Sequence, residues 1–346
     1  MTKLLYKKIY HFIKEQIASG RLQIGDRLPT EKELSEQFSV SRITSKRALV
    51  ELEQEGLITR SRGKGSFVAE KQVTSPEANK DLLLILPFTS DYELGDYAKG
   101  IMTSIAETGY RLMVQLASTV RLDTLSDYAG IIYYPEDVNH SIDFLFYCDH
   151  HHIPLVLLDK SLDLFQFPSV VADNKGGACQ LTQHLIEQGC DQISFVATGS
   201  FGEVSSVRDR YLGYLAAMAE SSLKSHYFPK TETETTDAYL DRLVKTLSET
   251  TATKRGLVVE NDWLAIQLIQ KITQVGLYIP DQVAIVGFDN SQASRLLSPK
   301  LSTAAQDFYQ MGQEAAKVLL QIIHEPDQAV VSCQLPVQVF IRESSH

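Results

Sequence analysis

Leu28-Pro29-Thr30-Glu31-Lys32-Glu33-Leu34, followed by Val40-Ser41-Arg42-Ile43-Thr44-Ser45-Lys46-Arg47-Ala48-Leu49, decides how the N-terminal part of this 346-residue chain folds. Thr30 and Glu33 have capping-box spacing, in which the hydroxyl covers the N3 amide and the carboxylate reaches back to the cap amide. The spacing predicts a helix from there to about Phe38. Ser41 is the expected N-cap of a further helix, running to about Gln54 and closed by Gly56. Upstream, Leu5, Ile9, Phe12, Ile13 and Ile17 recur at helical spacing until Ser19-Gly20. On the third helix Ser45, Ala48, Leu49 and Leu52 fall on one face, whereas Arg42, Ile43, Lys46, Arg47 and Val50 point elsewhere. A helix presenting Arg42, Thr44, Lys46 and Arg47 can enter a major groove. There Arg reads guanine bidentately while Lys and hydroxyls hold phosphates.

Leu57-Ile58-Thr59 and Ser66-Phe67-Val68 flank Arg60-Ser61-Arg62-Gly63-Lys64-Gly65. This reads as a β-hairpin wing whose glycines permit the tight turn and whose basic tip follows the backbone or minor groove. Charge agrees with that reading. Residues 1–70 hold 13 Lys+Arg against 9 Asp+Glu, the rest of the chain 20 against 34, and the total is −10. A basic head on an acidic body suits a module that touches a polyanion and a body that avoids one.

Residues 71–80 are polar, contain Pro76 and read as a linker between a head at 1–70 and a body at 81–346. In the body short apolar runs alternate with helical stretches. Expected strands are Leu82–Pro87, Leu112–Leu116, Gly130–Tyr134, Leu155–Asp159, Ile193–Ala197, Leu257–Val259 and Ala284–Phe288. This rhythm predicts a doubly wound parallel α/β fold, and the length exceeds one comfortable core, so two lobes with a cleft are expected. Ligands of such sheets bind beyond the carboxyl ends of the strands. Asp159, Asp173-Asn174, Asn261-Asp262, Asp289-Asn290 and Gln306-Asp307 cluster there, either as turn and cap residues or as partners for a polyhydroxyl ligand.

Four cysteines, Cys148, Cys179, Cys190 and Cys333, have no metal-ligand spacing and suit reduced, packed thiols. His150-His151-His152 are adjacent and do not face one ion, so they read as a solvated helix end. The first residues carry no apolar leader, and no run approaches the ~18 apolar residues that cross a bilayer, so a cytoplasmic protein without a membrane partner is expected. No nucleophile elbow, phosphate loop or metal-spaced His/Cys set is seen, so neither cofactor nor metal nor catalysis is expected.

The head resembles the winged helix-turn-helix of the GntR family. The resemblance rests on Gly25-Asp26-Arg27-Leu28-Pro29-Thr30-Glu31-Lys32-Glu33-Leu34, Val40-Ser41-Arg42, Gly56-Leu57-Ile58 and Gly63-Lys64-Gly65-Ser66-Phe67-Val68. It implies DNA contacts at Lys32, Ser41, Arg42, Thr44, Lys46, Arg62 and Gly63. Two positions depart from the pattern: Ser45 replaces an apolar residue, and Lys46 replaces Arg and lacks its fork. The body resembles the LacI family, with a periplasmic-binding-protein-like fold. This likeness is carried by Val171-Ala172-Asp173-Asn174, Ser206-Val207-Arg208-Asp209-Arg210, Val259-Glu260-Asn261-Asp262 and Val286-Gly287-Phe288-Asp289-Asn290. It implies effector contacts at Asp159, Ser206, Arg210, Asn261, Asp289 and Gln306, and more weakly at Phe88 and Tyr92. Trp263 stacks on a sugar face or belongs to a helix core. The helix from Gly95 toward Thr108 would lie at a dimer interface. Heads and bodies of these two kinds are joined in the arabinose repressors. The resemblance therefore implies a homodimeric repressor of double-stranded operator DNA released by a small sugar, L-arabinose or else another sugar, a sugar phosphate or a nucleoside.

Overall fold

The computed structural model describes the chain except residues 1–4, 19–20, 55–56, 62–64, 70–79, 88–90, 163–164, 200, 202–203, 232, 250–253, 327 and 330. It divides into two compact units, Met1–Asn79 and Lys80–His346. The linker expected at 71–80 lies, apart from Lys80, outside the described residues.

The first unit holds α1 (Leu5–Ala18), α2 (Glu31–Gln37), α3 (Arg42–Gln54) and the strands β1 (Ile58–Ser61) and β2 (Gly65–Val68). The capping box forms: Thr30 Oγ1 accepts from the Glu33 amide, and Glu33 Oε2 accepts from the Thr30 amide at 2.7 Å. Ser41 Oγ accepts from the Thr44 amide at 3.2 Å, the N-cap geometry for α3. Ile9, Ile13, Leu34, Leu49, Leu52 and Ile58 are buried together between the three helices and β1. β1 and β2 pair antiparallel from Ile58↔Val68 to Ser61↔Gly65. The Arg60 guanidinium bridges to Glu31 and lies 4.0 Å from Glu53, fastening the hairpin to α2 and α3.

The second unit contains two parallel sheets. The first lobe begins with β3 (Asp81–Leu86), α4 (Asp91–Ile105), β4 (Arg111–Leu116), β5 (Gly130–Tyr133), α5 (Val138–His150), β6 (Leu155–Leu158) and β7 (Ser169–Ala172). The chain then crosses to α6 (Asn174–Glu187), β8 (Gln192–Val196), α7 (Ser205–Ala219), β9 (Ser225–Phe228), α8 (Thr236–Glu249) and β10 (Arg255–Val259) of the second lobe. α9 (Asp262–Gln274), β11 (Val283–Asp289), α10 (Gln292–Leu296) and β12 (Ser302–Ala305) complete that lobe's consecutive run. A second crossing at Gln306-Asp307 returns α11 (Phe308–His324) and β13 (Cys333–Leu335) to the first lobe, and a third delivers β14 (Gln338–Phe340) to the second. The sheet orders are β13-β7-β6-β5-β3-β4 and β14-β12-β11-β10-β8-β9, with only β14 antiparallel to its neighbour.

All seven strands expected from the sequence are present to within two residues at each end. Five were not anticipated: β7, β9, β12, β13 and β14. β12 reads Ser-Thr-Ala-Ala and is buried for its small size, and β13 and β14 are three-residue pieces at a crossover. Strands β3, β5 and β6 are buried on both faces, as continuous apolar runs should be. Among the described residues no helix is long and apolar enough to cross a membrane.

Candidate functional site

Every loop that builds the cleft leaves the carboxyl end of a parallel strand. Asp159 and Lys160 follow β6, Asn261 follows β10, Asp289 ends β11, Gln306 follows β12, and Ser206 and Arg210 lie on α7 after β8. These residues meet around a cavity of about 480 Å3 between the two lobes, to which Tyr134, Glu260, Trp263 and Phe308 also contribute. That volume is ordinary for a small-molecule site, roughly 300–1,000 Å3. The six effector positions inferred from the sequence therefore share one cavity. Phe88 lies outside the described residues, as does the side chain of Tyr92 on α4.

Arg210 is only 5% exposed. Its Nε donates to Asn174 Oδ1 at 2.8 Å, Nη1 to the Glu260 carbonyl, and Nη2 to Asp289 Oδ1 at 3.3 Å, while the guanidinium lies 3.9 Å from the Phe288 ring centroid. Arg210 is one of the effector positions that the family likeness implies; three of its five N–H groups are held by protein, which leaves two to donate. Gln306 Nε2 donates to the same Asp289 oxygen at 2.7 Å, and its buried Oε1 has no partner among the described residues. Asn261 is likewise partly committed to protein. Its Oδ1 caps α9 by accepting from the Leu264 amide at 2.8 Å, so its NH2 is the group that can face a ligand.

The opposite wall has a different chemistry. Lys160 Nζ sits 3.2 Å from Asp159 Oδ2 and 3.8 Å from the Tyr134 ring centroid. Burial pushes the lysine pKa below its ordinary range, and the Asp159 carboxylate opposes that shift. Asp159, Asp289 and Asn290 have φ of 69°, 109° and 56°. Left-handed backbone at non-glycine residues on both floor strands costs about 1–3 kcal/mol each, a cost often found where side chains must be aimed at a ligand. The Ser161 amide donates to Ser205 Oγ at 2.9 Å, reaching from the first lobe to α7 of the second.

Sequence reasoning missed Lys160, Glu260, Phe308 and Tyr134. The signal for Lys160 was present: a lysine directly after the buried run Leu155–Leu158. Glu260 is 4% exposed, and its Oε1 accepts from both the amide (3.1 Å) and hydroxyl (2.6 Å) of Thr198. Of the two readings of Trp263, helix core is excluded, because the ring is 70% exposed at the cleft rim.

In the head, Ser45 is fully buried with Ala48, Leu49 and Leu52, as the helical face requires. Lys32, Ser41, Arg42 and Lys46 are exposed, with Arg42 and Lys46 one turn apart on α3. Thr44 is 7% exposed and its hydroxyl pairs with that of Ser41 at 2.8 Å. Arg47 lies with its guanidinium 4.3 Å from the Tyr6 ring centroid and its Nε 3.4 Å from Glu51, so it packs α3 against α1. Arg62 and Gly63, at the wing tip, lie outside the described residues. The His150 and His151 rings stand edge to face, His151 against Tyr147. Among the described residues no group of His, Cys, Asp and Glu is placed to hold a metal.

A three-helix unit with a hairpin wing, together with a two-lobed parallel α/β body cleft at the strand ends, defines a class: a DNA-binding-type head with a ligand-binding-type body. Residues 5–68 match the bacterial regulatory proteins of the gntR family, and residues 182–345 match the periplasmic binding protein-like domain. The chain thus joins a GntR-type helix-turn-helix to a periplasmic-binding-protein-like body. It is 29% identical to the arabinose metabolism transcriptional repressor of Geobacillus stearothermophilus, over 92% of this chain and 91% of that protein. The namesake from Halalkalibacterium halodurans is 26% identical over 91% and 89%. Among solved structures, a ribose-bound LacI family regulator from Enterococcus faecium has a TM-score of 0.64 at 22% identity, covering 77% of this chain and 98% of its own.

Proposed function

We propose that this protein is a transcriptional repressor whose affinity for double-stranded operator DNA is set by a small sugar bound between the lobes, with L-arabinose as the effector. The observation that carries the reading is the convergence of Asp159, Ser206, Arg210, Asn261, Asp289 and Gln306 on one interlobe cavity. Paired carboxylates, amides and a held arginine match hydroxyl groups that each donate and accept, and a wrong ligand would leave buried polar groups unpaired. L-arabinose is favoured because the two arabinose repressors cover nearly the whole chain, head included.

The proposed DNA contacts are Lys32, Ser41, Arg42, Thr44, Lys46 and Arg47, with Arg62 and Gly63 at the wing. Two copies would bind a palindromic site. In support of a homodimer, Met102 on α4 and Met113 and Val114 on the edge strand β4 are exposed apolar residues on the first lobe. The repressor relatives favour a regulator over an enzyme.

The test is a thermal-shift panel of monosaccharides, disaccharides and nucleosides, each hit then assayed for release from the protein's own promoter fragment. L-arabinose is expected to raise the melting temperature and to release the DNA. A shift with another sugar alone would replace the effector and keep the mechanism. Tight DNA binding with no response to any sugar would refute the reading of the cleft.

A further inference from the structure

A second cavity of about 460 Å3 lies between the same two lobes, on the other side of the Gln306-Asp307 crossover. Lys99 of α4 and Tyr309 of α11 line it from the first lobe, and Asn290, Arg295, Gln338 and Phe340 from the second. Asp289, Gln306 and Phe308 line this cavity and the effector cleft alike, so a single layer of side chains separates the two. Gln306 is 8% exposed, and among the described residues its Oε1 has no partner at this boundary.

The charges at the second cavity are arranged unlike those of the cleft. In the cleft each cation is already paired, Lys160 with Asp159 and Arg210 with Asp289. Lys99 and Arg295 are both exposed and neither has a salt-bridge partner among the described residues; Lys99 rests 5.7 Å from the Tyr309 ring centroid, and Arg295 donates only to the Asn290 carbonyl at 3.4 Å. Of the three carboxylates that line this cavity, Asp289 Oδ1 is held by Arg210 at 3.3 Å and Gln306 at 2.7 Å, Asp307 Oδ1 is committed to the Gln310 amide at 2.8 Å as the cap of α11, and Asp96 stands exposed. One unpaired cation on each lobe, with amides and aromatic faces between them, suits an anion carrying hydroxyl groups.

We propose that this second interlobe cavity binds a small phosphorylated sugar, whose phosphate is gripped by Lys99 from the first lobe and Arg295 from the second. Such a ligand ties the lobes together in one relative orientation. It also abuts three residues of the cleft, so its binding is coupled to that of the cleft effector; this coupling, unlike the site itself, rests on the reading of the cleft given above.

Calorimetric titration of the intact protein with ribose 5-phosphate, glucose 6-phosphate and inorganic phosphate tests the site. At least one sugar phosphate is expected to bind, and the double substitution Lys99→Ala, Arg295→Ala to weaken it by about tenfold or more. Both side chains are exposed, so the fold is expected to survive, and Lys99→Arg should retain binding because it keeps the charge. A sugar phosphate and a neutral sugar should change each other's affinity by one common factor, about fivefold or more. No binding by either sugar phosphate, binding untouched by the double substitution, or inorganic phosphate binding equally well (an adventitious ion only) would each overturn the proposal. Release of operator by a neutral sugar is a separate readout, so failure of the cleft reading is told apart from failure of this site.

Discussion

Arg210 is the residue on which the cleft turns. Asn174, the Glu260 carbonyl and Asp289 hold it in place, so under the proposed function a sugar would meet two N–H groups already oriented, at little ordering entropy. Removing one partner of a buried ion pair strands the other, at roughly 3–5 kcal/mol. Arg210→Ala or Asp289→Ala also removes a charged hydrogen-bonding group from the cleft, so it is expected to lower sugar affinity by about tenfold to a hundredfold and to leave DNA bound in the presence of sugar; normal release by sugar would refute both roles. In the head, Arg42→Ala should weaken operator binding by about 1–3 kcal/mol and leave sugar affinity unchanged. Equal loss of both affinities would contradict a division of labour. Asp262 is a third case. It is 1% exposed, accepts from Thr303 Oγ1 at 2.6 Å and the Ser291 amide at 2.7 Å, and burial raises its pKa to about 6. A carboxylate with a folded pKa above its unfolded value penalises the folded state once ionised, so the penalty grows from about pH 4 and is complete above about pH 6. Relative to Asp262→Asn, the natural protein should lose stability across that window, measured by urea unfolding, whereas parallel pH curves would disprove the shift.

Between elements, one of the closest approaches in the body is the crossing of α4 and α11. A methyl group on Gly100 would lie 2.0 Å from the Tyr309 carbonyl oxygen, and one on Gly312 would lie 2.3 Å from the Tyr97 carbonyl oxygen. Backbone cannot retreat as a side chain can, so Gly100→Ala should cost at least about 1–3 kcal/mol in unfolding free energy. α11 is the helix that follows the second crossing, so the same contact fixes where Gln306 and Phe308 enter the cleft. Nothing in the sequence announced this pair, because Gly100 sits in an ordinary amphipathic stretch. What could be read were features with local causes: the Thr30–Glu33 cap, the apolar runs of β3, β5 and β6, and the polar residues at strand ends. What could not be read depends on partners distant in sequence. The contact of Arg47 with Tyr6, and the hold of Asn174, Glu260 and Asp289 on Arg210, both join residues far apart in the chain. β12, β13 and β14 were missed because small, short strands at crossovers carry no periodicity.

Across the whole molecule, the basic head and the sugar-cleft body make sense as one device only if binding at one changes binding at the other. Coupling free energies of about 1–3 kcal/mol are usual, and the coupling is reciprocal by thermodynamic necessity. If dimerisation runs through α4 and β4, Met113→Asp should shift the protein toward monomers in sedimentation and weaken binding to a palindromic operator more than to a half-site. The most direct test of the central claim is the affinity for L-arabinose measured calorimetrically with and without saturating operator DNA. Operator is expected to weaken sugar binding by the same factor by which sugar weakens operator binding, about fivefold or more. Tight sugar binding that is identical with and without operator would contradict it.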